Sequence, residues 1–375
     1  MKCAYFDAGR CRSCSELAAP YAQQLEAKDR RSREALAAHP DVRWMPPVAS
    51  PEMAFRNKAK MVVSGSVEAP VLGILDTNGQ GIDLSDCPLY PSALQAAFAP
   101  LARFITLARI APYDVGTRRG ELKHLLITLA EHSGELMLRF VLRSQESLAR
   151  LRKFLPELQA ELPQLAVISA NLQPEHKAIL EGEQEILLGA QDRLTMRLNG
   201  LPLHLRPQSF FQTNDHVAAP LYAQARTWVE EIDPPALWDL FCGVGGFALH
   251  CADGRREVTG IEVSPEAIAS AELSRAELGL ANVSFRSLDA SDFALGQSTV
   301  PPLVIVNPPR RGIGAALARF LDASSARHLV YSSCNVDSLA RDLAAMPGFR
   351  LRRAGVFDLF PHTTHFEVLA LLARD

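Results

Sequence analysis

Through its second half the chain alternates short apolar runs with amphipathic stretches. The runs fall at 236–241, 256–261, 283–287, 303–307, 328–332, 350–358 and 365–372. Each has the length of a strand, and the gaps between the first six are long enough to hold helices. Strict strand–helix alternation predicts a parallel, doubly wound α/β sheet over residues 206–375. Only the last two runs have no helix between them, so they must pair as an antiparallel hairpin at one end of the sheet. The first half reads differently. Residues 15–38 form a polar, alanine-rich amphipathic helix, and Pro40, Pro46, Pro47 and Pro51 break the pattern after it. Phe55 to Val63 is a strand with basic residues at alternate positions. The stretches 122–129 and 135–143 are strands joined by a Ser133-Gly134 turn, and more short strands follow between 166 and 205. Residues 40–205 are thus expected to form an antiparallel α+β domain.

Composition narrows this picture. A chain of 375 residues with 48% hydrophobic content suggests two or three domains with ordinary cores. The net charge is −3, so any nucleic-acid site must come from local basic patches. Arg56, Lys58, Lys60, Arg118, Arg119, Lys123, Arg139 and Arg143 in the 40–205 stretch either trace a phosphate-binding face or are a solvated surface. No apolar run approaches the ~20 residues that span a membrane. The N-terminus has no signal-peptide core. The expectation is a cytoplasmic monomer with no membrane partner, whose cysteines are not in disulfides.

The most informative stretch is Leu-Trp-Asp-Leu-Phe-Cys-Gly-Val-Gly-Gly-Phe at 237–247. It reads as strand, tight loop and helix start. Glycines at 243, 245 and 246 let a ligand approach the backbone. The next strand ends in Glu262, 19 residues after Gly243, where a carboxylate can accept both hydroxyls of a ribose. The short loop and glycine spacing fit a ligand smaller than a dinucleotide, such as S-adenosylmethionine.

Ligands of doubly wound sheets sit at the C-terminal ends of the strands. There the third strand brings Leu288-Asp289, the fourth Asn307-Pro308-Pro309-Arg310-Arg311 and the fifth Ser332-Ser333-Cys334-Asn335. The hairpin returns through Pro361-His362-Thr363-Thr364-His365-Phe366-Glu367. Asn-Pro-Pro is also found in methyltransferases of exocyclic amines, but an aromatic normally follows there, and here Arg310 does. Cys334 with Glu367 suits another reaction. Carbon 5 of uracil is a poor nucleophile until a thiolate adds at carbon 6, and a base must then remove the carbon-5 proton. Cys242 and Cys251 are read as buried structural thiols. Three further cysteines, Cys3, Cys11 and Cys14, crowd the first fourteen residues, and Cys87 precedes Pro88. Four thiolates suit zinc or an iron–sulfur cluster, and the uneven spacing leans towards iron–sulfur.

These motifs together resemble the RNA 5-methyluridine methyltransferases from end to end. The resemblance is carried by Cys-Ala-Tyr-Phe-Asp-Ala-Gly-Arg-Cys-Arg-Ser-Cys at 3–14, Phe-Arg-Asn-Lys-Ala-Lys at 55–60, Asp-Cys-Pro-Leu-Tyr at 86–90, Pro-Gln-Ser-Phe-Phe-Gln-Thr-Asn at 207–214, and the stretches at 238–247, 307–312, 332–335 and 361–367. It implies a seven-stranded class I (Rossmann-like) S-adenosylmethionine-dependent methyltransferase domain at 206–375, a central RNA-binding domain at 40–205 and an iron–sulfur region within 1–90. It implies a [4Fe–4S] cluster on Cys3, Cys11, Cys14 and Cys87. Cofactor contacts would come from Gln212, Phe241, Glu262, Asn307 and Asp289. Cys334 would be the nucleophile, Glu367 the base, and Phe210 a stacking partner of the target base, a uridine of 23S ribosomal RNA. Several relatives place Asn where this chain has Gly246, so one cofactor contact is replaced or missing. Some relatives also carry an N-terminal RNA-binding barrel, and with none before Cys3 the grip on RNA is expected from the central domain. Other readings are a tRNA uridine enzyme, an exocyclic-amine methyltransferase that needs no thiol, and an iron–sulfur RNA-binding module with an inactive methyltransferase domain.

Overall fold

The computed structural model describes residues 1–177 and 179–374, and the chain divides into two compact units. One unit comprises Cys14–Pro51, Arg197–Leu205 and the chain from Ser209 onward. The other comprises Met1–Ser13, Glu52–Met196 and Arg206–Gln208.

The unit that contains the C-terminal half is built on one sheet. Its strands lie in the order Arg43–Trp44, Arg350–Phe357, Glu367–Ala373, His328–Ser333, Leu303–Val306, Ala236–Leu240, Glu257–Glu262, Val283–Ser287. Only Glu367–Ala373 runs against its neighbours, on both sides. Leu303, Val304, Ile305 and Val306 are all fully buried, because helices cover both faces of a parallel sheet and leave no polar side to alternate. The chain steps outward from Ala236–Leu240, then returns to its other side with Leu303–Val306. That reversal opens a crevice above the strand ends.

All seven strands expected in this half are present. The sheet nevertheless has eight strands, because Arg43–Trp44 adds a parallel edge to Arg350–Phe357. A two-residue edge strand carries no periodicity by which to recognise it. Its position also means that the compact units do not follow the contiguous blocks 1–90, 40–205 and 206–375. The helix Tyr21–Ala35 belongs to the C-terminal unit, and the residues it buries, Gln24, Lys28 and Ser32, are polar. Lys28 Nζ donates to Asp358 Oδ1 at 2.6 Å and to the Phe360 carbonyl at 3.1 Å. Tyr21 Oη donates to Asp358 Oδ2 at 2.9 Å, and His362 N donates to Gln24 Oε1 at 2.9 Å. A polar helix face thus fastens the loop that leads into Glu367.

The other unit holds a seven-stranded sheet in the order Gly81–Asp83, Pro70–Leu75, Lys58–Gly65, Leu122–Ala130, Glu135–Leu142, Leu165–Leu172, Gln184–Leu187. It is antiparallel except where Leu165–Leu172 lies parallel to Glu135–Leu142, after a crossover through the helix Leu148–Glu161. Phe98, Leu101 and Phe104 with Leu151, Leu155 and Leu158 cover one face. The eight basic residues of this region are not one surface. Arg139 is 1% exposed and is held by Glu181 and Glu185 at 2.8 and 2.6 Å. Lys123 is buried against Gln173 and the Glu175 carbonyl, and Arg143 pairs with Glu121 at 2.8 Å. Arg118, Arg119 and Lys60 are exposed, and Arg56 and Lys58 half-buried. Buried cations are neutralised internally because an unpaired charge in the interior is costly.

Candidate active site in the C-terminal unit

The glycine-rich loop leaves the strand Ala236–Leu240 through Phe241, whose φ of 65° is in the left-handed region. That conformation costs a non-glycine residue about 1–3 kcal/mol and is typical of functional loops. Gly243 and Gly245 follow at φ 54° and 83°. Gly245 also has to be small, because a Cβ there would lie 2.8 Å from the Phe285 ring. Gly243 faces open space, with nothing within 4 Å of an added Cβ. Asp239, fully buried, accepts from Ala248 N at 2.8 Å and so holds the start of the helix Gly246–Cys251. Burial pushes its pKa up to about 8.

Glu262 stands at the end of the second strand of the C-terminal half. Its carboxylate accepts from Gly243 N at 3.2 Å and from Ser264 N at 3.0 Å, yet stays half-buried. It is therefore aimed by two backbone donors and still open to a ligand. Asp289 caps the helix Ala290–Leu295, with Oδ1 accepting from Ser291 N and Asp292 N. Two apolar residues beside these acids carried no signal in the periodicity. Val263 is 66% exposed and Leu288 46% exposed, and Leu288 N donates to the Glu262 carbonyl at 3.0 Å. Exposed aliphatic side chains next to a ribose-competent carboxylate offer the flat apolar contact an adenine requires. Asn307 N donates to the Leu240 carbonyl at 3.2 Å, bringing Asn307 to the same strand ends, and Gln212 is buried in this unit. The residues present fit S-adenosylmethionine: an oriented acid for the ribose, an open glycine loop and apolar surface for the base.

The second half of the site comes from pairing. Ser333 is opposite Val368 in the antiparallel register of His328–Ser333 with Glu367–Ala373. Cys334 follows Ser333 and Glu367 precedes Val368, so this register brings the two to the same strand ends, near enough for the carboxylate to act on the thiol, although they are 33 residues apart. Glu367 is buried and accepts from Ser332 Oγ at 2.5 Å. Burial pushes its pKa up to about 7, against the pull of that hydrogen bond. The Cys334 thiol is also pushed up, first by burial and then by the Glu367 carboxylate, while the Arg310 guanidinium pulls it down. A cavity of about 260 Å³ opens on the thiol, lined among others by Arg31, Arg310, Asn335, Thr364 and His365. Asn335 Nδ2 donates to the Arg310 carbonyl at 3.1 Å. Asp342, which motif spacing did not single out, accepts from Ile313 N at 2.8 Å and Tyr331 Oη at 2.7 Å, fixing the end of the Asn-Pro-Pro-Arg-Arg-Gly loop.

Phe210 is 67% exposed, an isolated aromatic on the surface. Cys242 and Cys251 are buried, as expected of structural thiols. None of the seven cysteines is in a disulfide. Cys3, Cys11 and Cys87 belong to the N-terminal unit, and Cys14 opens the other. Among the described residues, no three His, Cys, Asp or Glu side chains gather as a ready metal site. A larger cavity, of about 800 Å³, lies in the N-terminal unit, lined among others by Arg143, Gln173 and Glu181.

Comparison with known proteins places the chain among methyltransferases. The family described as "Methyltransferase domain" matches residues 236–301, and that described as "tRNA (Uracil-5-)-methyltransferase" matches residues 295–375. The chain is 59% identical to the 23S rRNA (uracil(747)-C(5))-methyltransferase of Halothiobacillus neapolitanus, over 100% of both chains. It is 56% identical to the protein of the same description from Cronobacter sakazakii, again over 100% of both. Among solved structures it is similar to the tRNA (uracil-54, C5)-methyltransferase of Pyrococcus abyssi in complex with S-adenosyl-L-homocysteine. There the TM-score is 0.80 at 23% identity, covering 96% of this chain and 85% of that one, a likeness of fold.

Proposed function

Because the chain belongs to the 23S rRNA (uracil(747)-C(5))-methyltransferase family, we propose that Cys334 and Glu367 are its nucleophile and base. The reaction is S-adenosylmethionine-dependent methylation of carbon 5 of a uridine in 23S ribosomal RNA. The nearness of Cys334 and Glu367 at the strand ends supports the assignment most directly. The Cys334 thiolate bonds to carbon 6 of the uracil, and the displaced electron pair makes carbon 5 nucleophilic. The cofactor, when bound, supplies the methyl group that carbon 5 takes up. Glu367 then removes the carbon-5 proton, and elimination breaks the carbon–sulfur bond and returns the thiolate. Gln212, Phe241, Glu262, Asp289 and Asn307 hold the cofactor, with Val263 and Leu288 against its adenine. Phe210 stacks on a base, and Arg310 holds down the charge of the thiolate. The exposed Lys60, Arg118 and Arg119 of the N-terminal unit contact phosphates. The enzyme works in the cytoplasm, where its RNA is. No helix of the described residues is long and apolar enough to cross a membrane.

The assignment of Glu367 predicts a pH profile. A base must be ionised, and the buried carboxyl titrates at about 7 rather than at its usual 4.5. Because proton removal follows methyl transfer, kcat rather than kcat/KM is expected to rise about tenfold per unit below pH 7. The raised thiol, which attacks before that step, should make kcat/KM climb at higher pH. Stability runs the other way. A carboxyl with a raised folded pKa stabilises fully below its unfolded value, and that contribution is lost as pH rises through 7. A profile flat from pH 5.5 to 8 would remove Glu367 from the role.

We further propose a [4Fe–4S] cluster on Cys3, Cys11, Cys14 and Cys87. The support is a donor set of four thiols outside any disulfide. Cys87 is also close enough to Cys3 and Cys11 for their charges to raise its pKa, after burial. Protein purified without oxygen should be brown and contain iron, and Cys11→Ala should lose it. Stoichiometric zinc without iron would overturn the cluster.

A further inference from the structure

Tyr222, on the helix Asp215–Ile232, has no role in the site as described so far. Its ring is held on two sides. Phe247 meets it edge-on at 4.8 Å between centroids and 85°, and His250 stacks on it at 4.8 Å and 26°. His250 is fixed in turn by a 2.6 Å hydrogen bond between Nδ1 and the Gly246 carbonyl. A Cβ built on Gly246 would lie 2.7 Å from both Cζ and Oη of Tyr222. The phenol end thus fills the space that a side chain at 246 would occupy. Gly246 is the first residue of the helix that follows the glycine-rich loop.

Tyr222 is only 6% exposed, and its hydroxyl makes no hydrogen bond to the described residues. A buried hydroxyl without a partner costs free energy. This one is not among the fully sealed unpartnered atoms, so its oxygen keeps some exposed surface. Burial first, then the nearby Asp239, Glu367 and Asp215, raise its pKa and keep it neutral.

We propose that Tyr222 is a cofactor-binding residue whose hydroxyl, filling the side-chain space of residue 246 at the start of the helix after the glycine-rich loop, contacts the charged methionyl end of S-adenosylmethionine. Glycine at 246 is then required because the tyrosine occupies its side-chain space. The inference rests on reading the crevice as the cofactor site. It goes beyond that reading in assigning a contact from a helix outside the strand-end motifs.

Calorimetric titration of the full-length protein with S-adenosylmethionine tests it. Tyr222→Phe keeps the ring packing and should lose about tenfold in affinity at an unchanged melting temperature, the size of one hydrogen bond to a charged group. Gly246→Asn alone should abolish measurable binding, because its side chain meets a clamped ring. Combining Gly246→Asn with Tyr222→Val should recover affinity to within a few-fold of wild type. Wild-type affinity in Tyr222→Phe would overturn the proposal, as would a double variant no better than Gly246→Asn. If wild-type protein itself failed to bind, the cofactor reading would fall first. Loss in Glu262→Ala with none in Tyr222→Phe would leave that reading standing and remove only Tyr222.

Discussion

Cys334→Ala is expected to show no detectable methyl transfer, whereas Glu367→Gln is expected to remain covalently joined to its methylated RNA. The two residues stand at neighbouring strand ends but act at different steps. Without the thiol no bond to carbon 6 forms, and carbon 5 is never activated. Without the carboxylate the thiol can still attack and the methyl group can still be taken up, but the carbon-5 proton stays and elimination stalls. Glutamine suits the test because its carbonyl can go on accepting the bond from Ser332 Oγ, seen here at 2.5 Å. It also replaces a buried carboxylate with a neutral group of the same shape, so folding should not suffer. A denaturing gel with a labelled RNA hairpin and S-adenosylmethionine separates the outcomes. Glu367→Gln should give a shifted protein–RNA band and Cys334→Ala none. A persistent band in Cys334→Ala, or full turnover in Glu367→Gln, would contradict the assigned roles.

The second large effect is expected at Glu262. Glu262→Ala removes a charged acceptor for two ribose hydroxyls, worth on the order of 2–4 kcal/mol, or roughly thirtyfold to a thousandfold in affinity. The structure adds a second cause. The same carboxylate accepts from Gly243 N and Ser264 N, so its loss also frees the glycine-rich loop. Glu262→Gln, which keeps one acceptor oxygen, should fall between wild type and alanine. Asp289→Ala should cost less, because Asp289 is exposed and already spends one oxygen on the helix cap. Calorimetry with S-adenosylmethionine measures all three, and unchanged affinity in Glu262→Ala would mean that this strand does not end at the cofactor.

Much of this was legible before any coordinates. The apolar runs of the C-terminal half are continuous because both faces of a parallel sheet are buried, and that signal is local. The glycine spacing and Glu262 are local too, as are the strand-end positions of Asn307 and Cys334. Less local properties misled or were silent. Arg139 and Lys123 read as surface cations, yet carboxylates and carbonyls brought from elsewhere consume both. The helix Tyr21–Ala35 read as part of the N-terminal block, yet its polar face closes on Asp358 and His362.

Residue type, spacing and hydrophobic period by themselves determined the doubly wound architecture and pointed to the cofactor class and to the candidate reacting side chains. Each depends on chemistry carried within one strand and its following loop. Only the tertiary structure decided who meets whom. Cys334 and Glu367 come to the same strand ends because an antiparallel strand is inserted in a definite register, and a slip of one residue would turn every side chain over. Tyr222 fills the space beside Gly246 because two helices pack closely there. Such partnerships are set by burial and pairing between distant segments, and the local sequence at either end does not record them.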